Sequence, residues 1–217
     1  MTTTLLHGFA GDPDVWREVP ITGVAVALPG HGGGDVLPTW DDNLAALGTH
    51  DLVIGYSLGA RVALGLLATG RAQRAILIGV NPGIRDPAER AARRAGDASW
   101  ARMLRTTGIA AFVDAWSAQP LFATQRRFPE RVAARRAARL RHDPEQLARS
   151  LEVMGLAEMP DYTAALRDPR VRLVAGALDA KYIAIAHALG LPVALVPDSG
   201  HDPTLEQPVQ LANVLRS

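Results

Sequence analysis

The segment from Asp51 to Gly70 constrains this chain more than any other. Asp51-Leu52-Val53-Ile54 is an apolar run of strand character, and Leu58 to Thr69 is a run of small and aliphatic residues that Gly70 closes as a helix cap. Between them stands Gly55-Tyr56-Ser57-Leu58-Gly59. A serine where a buried strand turns directly into a helix sits on a tight turn, its hydroxyl presented beyond the end of a sheet, and flanking glycines let strand and helix approach closely. Gly-x-Ser-x-Gly also occurs in ordinary turns. The strand before it and the helix after it mark Ser57 as a candidate nucleophile.

The rest of the chain supplies the sheet that such a turn requires. Strand patterns are read at Thr2 to Leu6, Gly23 to Leu28, Arg74 to Val80, Val171 to Ala175 and Pro192 to Val196, with helices at about Tyr182 to Leu189 and Pro208 to Arg216. From Asp86 to about Met159 only helical pattern appears, punctuated by Pro120, Pro129 and Pro144 and carrying Trp100, Phe112 and Trp116. This predicts an α/β fold with a mostly parallel sheet, one domain over 1–217 and a helical cap inserted at about 86–159. The ligand site of such a sheet lies beyond the carboxyl ends of its strands, where Ser57, Asp179 and His201 all fall. Ser, then Asp, then His is the chain order of the α/β-hydrolase fold.

These three residues form a coherent set of roles: His201 activates Ser57, and Asp179 orients the imidazole. Asp179 could instead merely cap the helix that follows it, with Asp198 or Asp202 in its place. The other histidines fit less well. His50, His142 and His187 precede a strand or lie in helices, and His7 and His31 come before the serine. Leu58 supplies one backbone N–H for an oxyanion, and Phe9, in the His7-Gly8-Phe9-Ala10-Gly11 loop after the first strand, is the candidate for the second. The loop Pro29-Gly30-His31-Gly32-Gly33-Gly34 lacks the Gly-Lys-Ser/Thr of a phosphate loop.

Composition narrows the partners. No cysteine is present, which excludes disulfides and thiolate metal sites. The first residues run into a strand pattern without the marks of a signal peptide, and no apolar run approaches a membrane span, so a cytoplasmic protein without membrane association is expected. Of 23 basic residues, 14 arginines lie between Arg85 and Arg149 against 7 acids, leaving 9 basic and 15 acidic residues elsewhere. Most of these arginines decorate solvated helix faces. The segment lacks the interleaved aromatics of a nucleic-acid platform, so no nucleic-acid partner is expected. Lys181 is the only lysine, two residues after Asp179, and Arg61 lies one helical turn beyond Ser57 among aliphatic neighbours.

His7-Gly8-Phe9, Leu28-Pro29-Gly30-His31-Gly32, Gly55 to Leu64, Glu89 to Arg94, Trp116 with Gln119-Pro120-Leu121-Phe122, Gly176 to Tyr182 and Gly200-His201 together resemble the 2-succinyl-6-hydroxy-2,4-cyclohexadiene-1-carboxylate synthases of menaquinone biosynthesis. The chain departs from that family's pattern at Ala27, Ala60 and Thr204 and is short between His31 and Asp51. The resemblance implies a lyase without cofactor or metal, in which the triad removes a proton and pyruvate leaves by 2,5-elimination. It further implies that Arg61, Arg93 or Arg94, and Arg139 bind the carboxylates of a small polycarboxylate substrate, with Tyr56, Trp116 and Lys181 lining the site. Fork-shaped guanidinium donors suit such a substrate. A carboxylesterase or carbon-carbon hydrolase, or a non-catalytic small-molecule receptor on the same fold, is the alternative reading, and a monomer or small homo-oligomer is expected.

Overall fold

A computed structural model describes residues 2–32 and 34–217; Met1 and Gly33, the latter within the glycine-rich run, lie outside the described residues. Six parallel strands form one sheet in the order β2-β1-β3-β4-β5-β6: β1 Thr3–Leu6, β2 Val24–Val26, β3 His50–Tyr56, β4 Ala72–Ile78, β5 Val171–Gly176 and β6 Val193–Val196. The helices are α1 Trp40–Ala46, α2 Leu58–Ala68, α3 Pro87–Ser117, α4 Pro129–Arg139, α5 Pro144–Val153, α6 Ala180–Ala188, α7 Pro203–Glu206 and α8 Pro208–Arg216. Short 3-10 turns occupy Pro13–Trp16, Pro120–Arg127 and Ala165–Arg167.

Both faces of the sheet are covered, which is why the central strands read as unbroken apolar runs. Leu6, Val53 and Leu77 point to the face packed by α1 and α2, while Leu5, Ile54 and Ile78 point to the face packed by Val15, Trp16 and α8. At the edge, β2 is shorter than the apolar run Gly23 to Leu28 suggested, and Val24 stands 56% exposed. α1 had no counterpart in the sequence reading. Thr39 caps it by accepting from the Asp42 N–H, and Trp40 donates to the Tyr162 hydroxyl at 3.1 Å.

Between β4 and β5 the described chain is helical. Pro87, Pro120, Pro129 and Pro144 each stand at the start of a helical segment, where a missing N–H is harmless and a fixed φ favours initiation. α3 turns at Gly108 (φ 79°, ψ 175°), a backbone state open to glycine, and beyond it Phe112 stacks on Trp116 while Trp100 meets both rings edge-on. With Leu104, Leu147 and Leu151 these rings make a third apolar cluster, which packs against Phe9 and Ala10 in the loop after β1. No helix among the described residues is long and apolar enough to cross a membrane.

Candidate active site

The strand order places β1 between β2 and β3, so the chain leaves β1 in one direction and crosses to β3 in the other. The loops after β1 and β3 therefore diverge, and a crevice opens where they part. Ser57 stands at this crevice with φ 54° and ψ −107°. Holding a non-glycine residue there costs on the order of 1 kcal/mol, and the surroundings enforce it. The Ser57 N–H donates to Ile78 O at 2.9 Å and the Gly59 N–H to His7 O at 3.0 Å. A Cβ at Gly55 would overlap the Gly59 backbone, one at Gly59 the carbonyls of Leu6 and His7, and one at Gly8 would lie 2.7 Å from the Tyr56 ring. Three glycines thus clear the space in which β1, β3 and α2 meet around one serine.

His201 Nε2 lies 3.1 Å from Ser57 Oγ, and His201 Nδ1 lies 2.8 Å from Asp179 Oδ2. Both His201 and Asp179 are buried. Asp179 also caps α6, its Oδ1 accepting from the Tyr182 N–H at 3.5 Å, so the capping and orienting readings of this residue hold together, one oxygen to each. The Tyr182 ring lies over the imidazole at a centroid distance of 4.6 Å and an interplanar angle of 22°. Gly79 (φ 64°) admits the imidazole, since a Cβ there would come 2.9 Å from His201 Cε1. Asp198 and Asp202 are engaged elsewhere, with Arg127 and Arg135 respectively.

A cavity of about 270 Å³ opens above Ser57. Phe9, Arg61, Arg93, Trp116, Lys181 and Tyr182 lie on its wall. Leu58 begins α2, where the first-turn N–H groups have no intrahelical partner and the helix dipole favours a negative charge. Arg61 returns along α2 toward the cavity and donates to Met154 O at 3.0 Å; burial, reinforced by the charge of Arg93, draws its pKa down to about 10. Arg93 is steered by Asp97, which accepts from its Nε at 2.8 Å. Of the adjacent arginines the cavity takes Arg93, while Arg94 pairs with Glu158 outside it. The single acid of the wall, Asp97, is thus committed to an arginine, and an excess of positive charge remains.

Two of the residues expected to line the site for the substrate, Tyr56 and Arg139, are not on this wall. Tyr56 is buried beneath Gly8, its ring 5.4 Å from that of His201, on the side toward Asp202 and Arg135. Arg139 is buried behind the wall, donating to Ser117 Oγ at 2.8 Å and lying over the Phe122 ring. Conversely, Asp97, Ser150 and Asn81 line the cavity without having been singled out. Asp97 could have been found as the acid one turn after Arg93; Ser150 and Asn81 carry no signal in the sequence. His7 and His31 serve the framework. His7 Nε2 accepts the Leu28 N–H at 3.0 Å, so its Nδ1 carries the proton and donates to Gly8 O at 2.7 Å, and burial draws its pKa down to about 4. Among the described residues no group of three or more His, Cys, Asp or Glu side chains could hold a metal ion.

The sheet order, the strained serine between strand and helix, and the Ser57-His201-Asp179 chain define a class, and the chain belongs to the alpha/beta hydrolase family, whose model it matches over residues 5–214. Within that class it falls with the 2-succinyl-6-hydroxy-2,4-cyclohexadiene-1-carboxylate synthases. It is 35% identical to the synthase of Klebsiella pneumoniae (strain 342) across 98% of this chain and 92% of that protein, and 33% identical to that of Escherichia coli O139:H28 across 97% and 92%. The solved structure of MenH from S. aureus superposes with a TM-score of 0.90 at 26% identity, covering 100% of this chain and 92% of that one.

Proposed function

We propose that this chain catalyses the synthase reaction of its relatives in menaquinone biosynthesis, releasing pyruvate and forming 2-succinyl-6-hydroxy-2,4-cyclohexadiene-1-carboxylate. The observation that carries this reading is that one cavity wall joins Ser57, hydrogen-bonded to His201, with Arg61, Arg93 and Lys181. The product is a 2,4-diene with a carboxylate on the ring and another on the succinyl arm. Such a diene forms from a 3-ene by loss of a proton at C2 and of an enolpyruvyl oxygen at C5.

In this mechanism Ser57 Oγ, giving its own proton to His201 Nε2, takes the C2 proton beside the succinyl carbonyl. The C2–H electron pair becomes the C2=C3 bond, the C3=C4 pair moves to C4=C5, and the C5–O bond breaks. Enolpyruvate leaves and is protonated to pyruvate at the expense of His201, which restores the starting state. Asp179 stabilises the imidazolium while it lasts. The N–H groups of Phe9 and Leu58 face the carbonyl oxygen as charge develops on it, and the cationic wall holds the carboxylates. Tyr56 and Arg139, set back from the wall, support the site from behind, and the helical segment between β4 and β5 acts as the cap that excludes water.

The reaction is followed as pyruvate release by coupled reduction with lactate dehydrogenase. Wild-type protein is expected to release pyruvate from the enolpyruvyl cyclohexene substrate and Ser57→Ala to lose that activity. Rapid hydrolysis of neutral p-nitrophenyl esters without pyruvate release would replace this reading with that of a hydrolase.

A further inference from the structure

Among the described aromatic residues of the cavity wall, Tyr182 alone stacks on His201, at a centroid distance of 4.6 Å and an interplanar angle of 22°. Lys181 Nζ stands 5.4 Å from the centroid of the same ring. The Tyr182 main chain is fixed in the first turn of α6, where its N–H donates to Asp179 Oδ1 at 3.5 Å. Backbone and ring are thus set, and the hydroxyl at the far end of the ring is unused. Among the described residues Tyr182 Oη has no hydrogen-bond partner, and it is not sealed from solvent.

A phenol in this place is a neutral donor. Burial raises its pKa, and the opposing pull of the Arg61 and Arg93 guanidinium groups, itself countered by the Asp179 carboxylate, does not reverse this. The protein offers the hydroxyl no acceptor on the wall, because the acid there, Asp97, accepts from Arg93 Nε at 2.8 Å. Arg61 uses Nη1 on Met154 O at 3.0 Å, and N–H groups remain free on both guanidinium forks. A hydroxyl and two forks on one wall match a carboxylate, whose two oxygens accept up to about four hydrogen bonds. A neutral ester would leave the forks without a charged partner.

Which carboxylate is bound follows from His201. In the reaction set out above, enolpyruvate is protonated at the expense of this residue, so the leaving group lies against the imidazole and beside the ring stacked on it. We propose that the Tyr182 hydroxyl, together with Arg61, binds the carboxylate of the enolpyruvyl group and holds it beside His201 as the C5–O bond breaks. Arg93 is then left for a second carboxylate of the substrate. The inference rests on the synthase reaction proposed for this chain.

The test is Tyr182→Phe, which keeps the ring and its stack on His201 and removes one oxygen. Its melting temperature is expected to match that of wild type. KM for the enolpyruvyl substrate should rise about tenfold or more, as for a lost hydrogen bond to a charged group, with kcat altered less than about threefold. Pyruvate and succinate, used as inhibitors, identify the carboxylate: Ki for pyruvate should rise about tenfold in Tyr182→Phe and Ki for succinate less than about twofold. Since the two inhibitors are compared within one protein sample, a partly unfolded preparation does not change the result. An equal or larger rise for succinate, or a wild-type protein that pyruvate does not inhibit, overturns the assignment to the enolpyruvyl group. An unchanged KM, or a loss confined to kcat, overturns the contact itself. Wild-type protein that releases no pyruvate defeats the synthase reading; pyruvate release by wild type beside an unaffected Tyr182→Phe defeats only this inference.

Discussion

On the floor of the cavity, Ser57 is held by main chain: N–H groups bonded to neighbouring strands, glycines where a Cβ would collide, and a φ of 54° that the turn imposes. Toward the helical segment between β4 and β5, Arg93 is held by one carboxylate and Arg61 by one carbonyl. The floor is over-determined and the cationic wall lightly restrained. This difference separates two kinds of work. A proton transfer needs its atoms fixed before the substrate arrives, whereas a carboxylate can complete the placement of a guanidinium by binding it. Burial lowers the pKa of Arg61 and the nearby charge of Arg93 lowers it further, an arrangement that an anionic ligand relieves.

The comparison is tested hardest at the floor. Ser57→Ala keeps the Cβ and the backbone state, so melting temperature should hardly change while kcat/KM for pyruvate release falls by about a thousandfold or more. Substantial residual turnover would remove the serine from the chemistry. At the wall, Arg61→Ala should lower kcat/KM for the anionic substrate by about 2–4 kcal/mol of transition-state stabilisation, with Arg61→Lys recovering only part. Turnover of a neutral ester, if present, should be almost unaffected; equal damage to both substrates would make Arg61 a framework residue of α2.

A third measurement probes the framework beneath the floor through pH. His7 has its folded pKa drawn from 6.5 to about 4 by burial, so the unfolded chain takes up its proton first on acidification. The stability due to neutral His7 is whole above pH 6.5 and declines as pH falls toward 4, by about 3 kcal/mol in total at 1.36 kcal/mol per pH unit. Urea unfolding across this range should show that slope, and His7→Gln should flatten it by about one proton. An unchanged slope would mean that His7 titrates normally and does not lock the loop after β1. The smallest effect separates two neighbours on α3. Arg93→Ala should reduce kcat/KM about tenfold through a lost carboxylate contact, whereas Arg94→Ala removes only an exposed pair with Glu158 and should change stability by less than about 1 kcal/mol and kcat/KM by less than about twofold. The reverse outcome would put the wall on the other face of α3.

The backbone elements of the site were legible in the residue order because they are local. A strand of four or more apolar residues, a serine between glycines, a following helix, and an Asp and a His placed just past later strands are each readable in windows of about ten residues, and the parallel sheet then brings their ends to one edge. The starts of three helical segments between β4 and β5 were marked by Pro120, Pro129 and Pro144, whereas Pro87, which opens α3, was not singled out. The choice of side chains on the wall was not local. Arg93 and Arg94 are neighbours with the same chemistry, and only the packing of α3 against α5 decides that one meets the cavity and the other Glu158. In the same way Asp179, Asp198 and Asp202 all follow strand ends, and what selects Asp179 as partner of His201 is that Arg127 and Arg135, brought from more than sixty residues away, engage the other two. Turn geometry and strand ends follow from short-range sterics that the sequence determines by itself; which charge faces which is set by contacts between distant segments, and those exist only once the chain has packed.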